Sequence, residues 1–187
     1  MALKPTIYKF AITLADIDRG RYEDLALTVA LHPSETLERM LVRVLARCLE
    51  DEDDLTFTGG LSETDTPDLW RKHLDGRIAT WIEVGEPSAD RLRKASRVAD
   101  RVIVYTFNTR SDVWWPDVRR DLSEGSVAVY RLRWPEVQAL TPLAQRTAAF
   151  TITIARPTVL IVGDRTGAGA LEFNLEIETL DAGAPQE

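Results

Sequence analysis

"RIATWIEVGEPSADRLRKASRVADRVIVYTF", residues 77–107, decides the fold. Ile78, Thr80, Ile82 and Val84 fall on one side of a period-two run, and Ala79, Trp81 and Glu83 fall on the other. Ser88 after Pro87 is a helix N-cap, and the polar-rich stretch 88–100 has helical spacing. "RVIVYTF" is almost all β-formers, the pattern of a strand buried on both faces. Strand, helix and strand in this order predict a βαβ unit, with two parallel strands and a right-handed crossover.

Outward from this unit the pattern changes. Tyr8, Phe10, Ile12 and Leu14 alternate with polar residues, as do Leu25, Leu27 and Val29, and "DIDRG" between the two runs supplies a turn. The two runs predict an antiparallel hairpin. Leu37, Met40, Leu41, Val44, Leu45 and Cys48 recur at helical spacing and predict an amphipathic helix. Ser34 is its expected N-cap, with Glu35 in the first turn and exposed. "LTFTGG" is a short strand with a turn, and "LSETDTPDLW" is expected to be irregular. "SDVWWPDVRRDL" predicts a short helix, "SVAVYRL" a strand, and "PEVQALTPLAQR" a weaker helix around Pro142. Residues 148–180 predict two or three antiparallel strands, and 181–187 a frayed tail. The expected fold is α/β at its centre and α+β at its margins. It is a single compact domain over 1–187, a mixed sheet with flanking helices.

Composition narrows the function. Twenty-three Lys and Arg against thirty Asp and Glu give a net charge of −7. That balance opposes strong sequence-blind binding to nucleic acid but leaves room for a local basic cleft. Cys48 is the only cysteine, so one chain can build neither a disulfide framework nor a cysteine zinc site. No apolar run is long enough to span a bilayer. The opening "MALKPTIYKF" lacks the apolar core of a secretory signal. A soluble cytoplasmic protein, not attached to membranes, is expected.

One set of residues has the makings of a catalytic centre. A divalent metal that activates water for phosphodiester cleavage needs hard oxygen ligands, commonly two carboxylates, with a cation nearby for the developing phosphate charge. Asp68 in "TPDLW", Glu83 at the end of a central strand, and one of Arg91, Arg93 or Lys94 follow in that order. Glu83 stands where α/β sheets tend to form sites. At about 100° per residue, Glu38 lies at the rim of the first helix's apolar face and can lean into a cleft. Asn108 and Arg110 follow the strand beside Glu83 and rim the same mouth, and Trp114 and Trp115 could stack a base.

Each residue also has a plain structural reading. Glu83 could pair with Arg77 or with a helix arginine, and Asp68 could cap a turn after Pro67. The basic residues of 91–101 could form a solvated face, and the tryptophans could belong to the core. "GDRTGAG" fits a hairpin loop better than a phosphate cradle. The glutamates 172, 176 and 178 fit the wet face of a strand.

"MALKPTIYK", "HPSETLERM", "WIEVGEP", "YTFNTRSDVWW" and "LEFNLE" together resemble the YaeQ family of small bacterial proteins, over nearly the whole chain. The resemblance implies a centre like the PD-(D/E)xK restriction-endonuclease core, with extra strands. It would place Asp68 at the P-D carboxylate, Glu83 at the (D/E) position and Glu38 on the first core helix. Gly85 stands where the usual lysine would be. The family core also accepts a lysine from the next helix, and Lys94 answers to that place. The first expectation is a Mg-dependent nuclease or phosphodiesterase, with Asp68 and Glu83 on the metal, Glu38 assisting and Lys94 on the phosphate. Arg91, Asn108 and Arg110 would be further phosphate contacts, and nucleic acid would be the partner. The alternative is a non-catalytic binding or regulatory module on a nuclease-like scaffold, with a protein partner.

Overall fold

A computed structural model describes residues 4–50, 52–59, 65–165 and 169–183. In chain order the elements are β1 (Thr6–Asp16), β2 (Arg21–Leu31), α1 (Leu37–Leu49), β3 (Thr56–Phe57), β4 (Leu69–Lys72), β5 (Ile78–Val84) and α2 (Ala89–Val98). There follow β6 (Ala99–Thr106), α3 (Ser111–Arg119), β7 (Ala128–Leu132), α4 (Trp134–Ala139), β8 (Thr147–Ala155), β9 (Thr158–Arg165) and β10 (Gly169–Ala182). The protein is mixed α/β. It forms two compact units, Met1–Leu49 with Arg133–Ile177, and Glu50–Leu132 with Glu178–Glu187. Among the described residues no helix is long and apolar enough to cross a membrane.

In the first unit the strands lie in the order β2-β1-β8-β9-β10. The expected hairpin is present, with Phe10 opposite Leu27 and Ile12 opposite Leu25. Its inward residues Tyr8, Phe10, Ile12 and Leu14 are buried. β1 also pairs with β8 in parallel, which places Ile12 beside Phe150 and Leu14 beside Ile152. Local patterning cannot announce this pairing, because its partners are more than a hundred residues apart.

Two expectations about α1 are corrected. Its cap is Thr36, whose hydroxyl accepts the Arg39 N–H at 3.3 Å, while Ser34 bonds the His32 ring at 2.7 Å. Glu35 is not exposed: its side chain is 2 % accessible and meets Arg43, itself 3 % accessible. Arg43 binds both Glu35 oxygens, Nε to Oε1 at 2.8 Å and Nη2 to Oε2 at 2.7 Å. Arg43 Nη2 also donates to the Ala30 carbonyl at 2.8 Å, and Arg39 joins Glu35 at 2.8 Å. The fork matches guanidinium to carboxylate, which lets two charges enter the interior together. The helix is buried nearly all round rather than on one stripe, from Met40 to Ala46 without a break. Its last turn ends on the Leu49 carbonyl, which accepts from Arg19 at 2.8 Å and Arg156 at 2.7 Å. Cations here complement the negative end of the helix.

The second unit holds the βαβ element as expected. β5 and β6 are parallel, with Trp81 beside Val102 and Glu83 beside Val104, and β7 continues in parallel on β6. Ser88 caps α2. Leu92 and Ala95 of α2 pack with Trp115 of α3 onto Trp81, Val102, Val104, Val127 and Val129. Trp115 is thus core, and the half-buried Trp114 is tied by its indole N–H to the Pro87 carbonyl at 3.0 Å. The stretch expected to be irregular contains a strand: β4 pairs antiparallel with β5 through a tight turn at 73–77, and with β3 on its other side. Residues 61–64 of that stretch lie outside the described residues. At the C-terminus β10 runs to Ala182, and Asp181 pairs with Arg119 at 3.4 Å. Order therefore extends past the expected start of fraying, while 184–187 lie outside the described residues. β9 and β10 pair antiparallel, as expected of strands flanking a hairpin loop, although 166–168 lie outside the described residues.

Candidate carboxylate site at the end of strand β5

Asp68 stands one residue before β4. Its N–H donates to the Ile82 carbonyl at 3.0 Å, and its Oδ2 accepts the Val84 N–H at 2.8 Å. The side chain is thereby turned inward against the end of β5, and the residue is 2 % exposed. Glu83 is on β5 itself, on the face that carries Trp81, and is 5 % exposed. Its Oε1 accepts from the Trp81 indole N–H at 2.7 Å and from Arg91 Nε at 2.7 Å.

Arg91 reaches this place from the first turn of α2. Its backbone N–H is held by the Ser88 cap at 3.3 Å, and its Nη2 donates to the Thr66 carbonyl at 2.7 Å. The guanidinium lies 5.9 Å from the centre of the Trp81 ring, within range of a cation–π contact. Burial pushes the Glu83 carboxyl above the usual carboxylate value, and the negative charge of Asp68 pushes the same way; Arg91 and Trp81 only partly offset them. Two carboxylates are thus held out of water at the end of β5, one of them carrying the Arg91 guanidinium.

Gly85, where the resemblance would look for a lysine, has a backbone that suits glycine. Its φ is +111°, a conformation L side chains rarely adopt, and its N–H is spent on the Tyr105 carbonyl at 2.9 Å. A lysine there would strain the turn that leads from β5 to α2.

The remaining candidates are placed as follows. Lys94 is exposed on α2, on the side away from the buried Leu92 and Ala95; among the described residues it makes no ion pair or hydrogen bond. Glu38 is half-buried on α1, in the first unit. Asn108 and the exposed Arg110 follow β6, at the same end of the parallel strands as Glu83. Their carbonyls accept backbone N–H groups at the start of α3. The structure thus brings Asp68, Glu83 and Arg91 together and leaves Lys94 facing solvent.

Sequence reasoning missed the Trp81 indole and the Thr66 carbonyl as members of the site. It also missed a second, half-buried network on the opposite face of the sheet. Glu50, 1 % exposed, accepts the Tyr105 hydroxyl at 2.5 Å and pairs with Arg101 at 2.9 Å. Arg101 also pairs with Glu52 at 3.0 Å, and Glu52 takes Arg71 at 2.7 Å and Thr80 at 2.9 Å. Opposite charges are balanced within it, which fits a tie between strands. The alternation placing Thr80 opposite in face to Trp81 was the available signal.

Among the described residues no group of three or more His, Cys, Asp or Glu side chains is arranged to hold a metal. Asp68 and Glu83 could supply two hard oxygen ligands, the number Mg²⁺ commonly takes from protein while keeping water on its other positions.

The comparisons with known proteins agree with one another. The family model described as "YaeQ protein" matches residues 1–170. The chain is 37 % identical to the uncharacterised protein YaeQ of Salmonella typhi, over 95 % of this chain and 96 % of that protein. It is 36 % identical to the Escherichia coli K12 protein of the same description, over 94 % and 96 %. The crystal structure of YaeQ from Xanthomonas axonopodis pv. citri superimposes with a TM-score of 0.86 at 32 % identity, covering 95 % of this chain and 99 % of that one. The Pseudomonas syringae YaeQ structure gives 0.84 at 36 % identity, covering 95 % and 97 %.

Proposed function

The chain belongs to the YaeQ family, and from that premise we propose that it is a Mg-dependent phosphodiesterase of the nuclease type, built on a PD-(D/E)xK-like core. The observation that carries the reading is the burial of Asp68 against the end of β5 beside Glu83. In this reading Asp68 and Glu83 hold the metal. When bound, the metal activates water and offsets charge on the phosphate. Arg91 rather than Lys94 is the cation for the phosphate, because its guanidinium is already at Glu83 and can bind two phosphate oxygens at once. Asn108 and Arg110, at the same end of the parallel strands, are suited to a backbone phosphate next to the one that is cut. Nucleic acid is the substrate class that presents such a row of phosphodiesters, and the net charge of −7 requires that it be met by a local basic rim.

A second reading is a non-catalytic module whose partner is a protein. It is favoured by the Arg91–Glu83 pair, in which the carboxylate already has a cation. The test incubates wild-type protein and the Asp68→Ala/Glu83→Ala double variant with single- and double-stranded DNA and RNA, plus Mg²⁺ or Mn²⁺. Cleavage by the wild type alone supports the enzyme. Equal cleavage by both, or by neither, overturns it in favour of the module.

A further inference from the structure

We infer that Arg91 is a displaceable plug: its guanidinium occupies the cation place between the β5 carboxylate and the Thr66 carbonyl, and a divalent metal enters only when Arg91 withdraws. The inference rests on the proposed metal site and concerns its regulation.

Arg91 satisfies each requirement of a plug. It is bonded to the carboxylate that would ligate the metal, Nε to Glu83 Oε1 at 2.7 Å. A second bond, Nη2 to the Thr66 carbonyl at 2.7 Å, ties it to the segment just before Asp68, so one side chain bridges the two stretches that carry the acids. The Trp81 ring flanks the guanidinium and its indole N–H shares the same Glu83 oxygen, which fixes that carboxylate in position with or without Arg91. Withdrawal has a route, because the Arg91 side chain is 30 % exposed while Glu83 is 6 %. The plug sits on a helix start and hangs from a backbone held by Ser88, so only χ angles need to change. Glu83 Oε1 already accepts two donors, the Trp81 indole N–H and Arg91 Nε, so a metal that takes this oxygen displaces the guanidinium. An incoming phosphodiester offers Arg91 a pair of anionic oxygens nearer solvent, so the group that opens the site is also the group to be cut.

The test is a Mn²⁺ titration by calorimetry and electron paramagnetic resonance, at slightly alkaline pH, on wild type, Arg91→Ala, Arg91→Lys and Glu83→Gln. Arg91→Ala is expected to bind Mn²⁺ about tenfold more tightly than wild type. Millimolar methylguanidinium should return its affinity to the wild-type level by refilling the vacated place. Arg91→Lys, with one ammonium in place of a guanidinium that bonds both Glu83 and Thr66, should tighten binding by about threefold and carries the test should the alanine variant not fold. Glu83→Gln should abolish binding. If Arg91→Ala, or Arg91→Lys in its stead, binds no more tightly while Glu83→Gln still abolishes binding, the plug is overturned and the metal site stands. No binding by any folded variant overturns both.

Discussion

Replacing Glu83 by glutamine and by alanine should have opposite consequences for stability. The alanine variant removes the acceptor of the Trp81 indole N–H, on a residue 6 % exposed. A buried donor left without a partner costs about 1–3 kcal/mol. The lost side-chain carbon adds about 0.8 kcal/mol. Arg91 also loses its partner, but it is 30 % exposed and can be hydrated, so its share is small. The sum is a loss of about 2–4 kcal/mol, or roughly 4–16 °C in Tm for a chain of this size. Glutamine keeps the Oε1 acceptor for both donors and removes the charge that burial and Asp68 disfavour. It should therefore be neutral or stabilising at neutral pH. The pH dependence carries the sign. A carboxyl whose folded-state pKa is raised binds more protons in the folded protein, so its contribution is present in full below the unfolded value of roughly 4.3 and is lost as pH rises through the folded value. Wild type should lose stability relative to Glu83→Gln over that interval. Thermal and urea unfolding followed by circular dichroism between acid and neutral pH measures the difference. A glutamine variant as unstable as the alanine variant, or a wild-type advantage that grows with pH, refutes the reasoning.

Lys94→Ala should leave both stability and Mn²⁺ affinity unchanged, stability within about 0.5 kcal/mol, because the side chain stands in water; calorimetry and urea unfolding check it. Arg43→Met breaks a fork with both partners under 4 % exposed and leaves Glu35 with Arg39 and the His32 N–H. It should cost about 3 kcal/mol in urea unfolding, the lower end of the range for an orphaned buried charge. Gly163→Ala would put a methyl 2.5 Å from Leu143 Cδ2 and 3.3 Å from Phe150 Cβ. The flexible leucine end can move but the β8 neighbour cannot, so a loss of about 1–2 kcal/mol is expected by the same measurement.

Much of the fold was legible because its signals are local. Period-two runs such as Tyr8 to Leu14 and the Ser88 cap each depend on neighbours in sequence, and the structure holds both. β4 was not legible: four residues, Leu69–Lys72, are too short to show a period, and their strand state comes from the ladder to β5. The α1 wheel was misjudged for a related reason. It measured polarity against water, whereas Glu35 and Arg43 satisfy each other and enter the interior as a pair. In the candidate site, residue type and order pointed to Asp68 and Glu83. The choice between Lys94 and Arg91 depended on which side of α2 faces the strand. Leu92 and Ala95 set that face and bring Arg91, not Lys94, over Glu83. The Trp81 indole and Thr66 carbonyl left no signal, since an aromatic in a strand and a backbone oxygen look alike in any sequence.

A Mn²⁺ soak of crystals, read by anomalous scattering, examines the metal reading most directly. A peak bonded to carboxylate oxygens of both Asp68 and Glu83, with the Arg91 guanidinium swung off Glu83, is the predicted result. Saturating Mn²⁺ with no peak there, and the Arg91–Glu83 pair still closed, would contradict it.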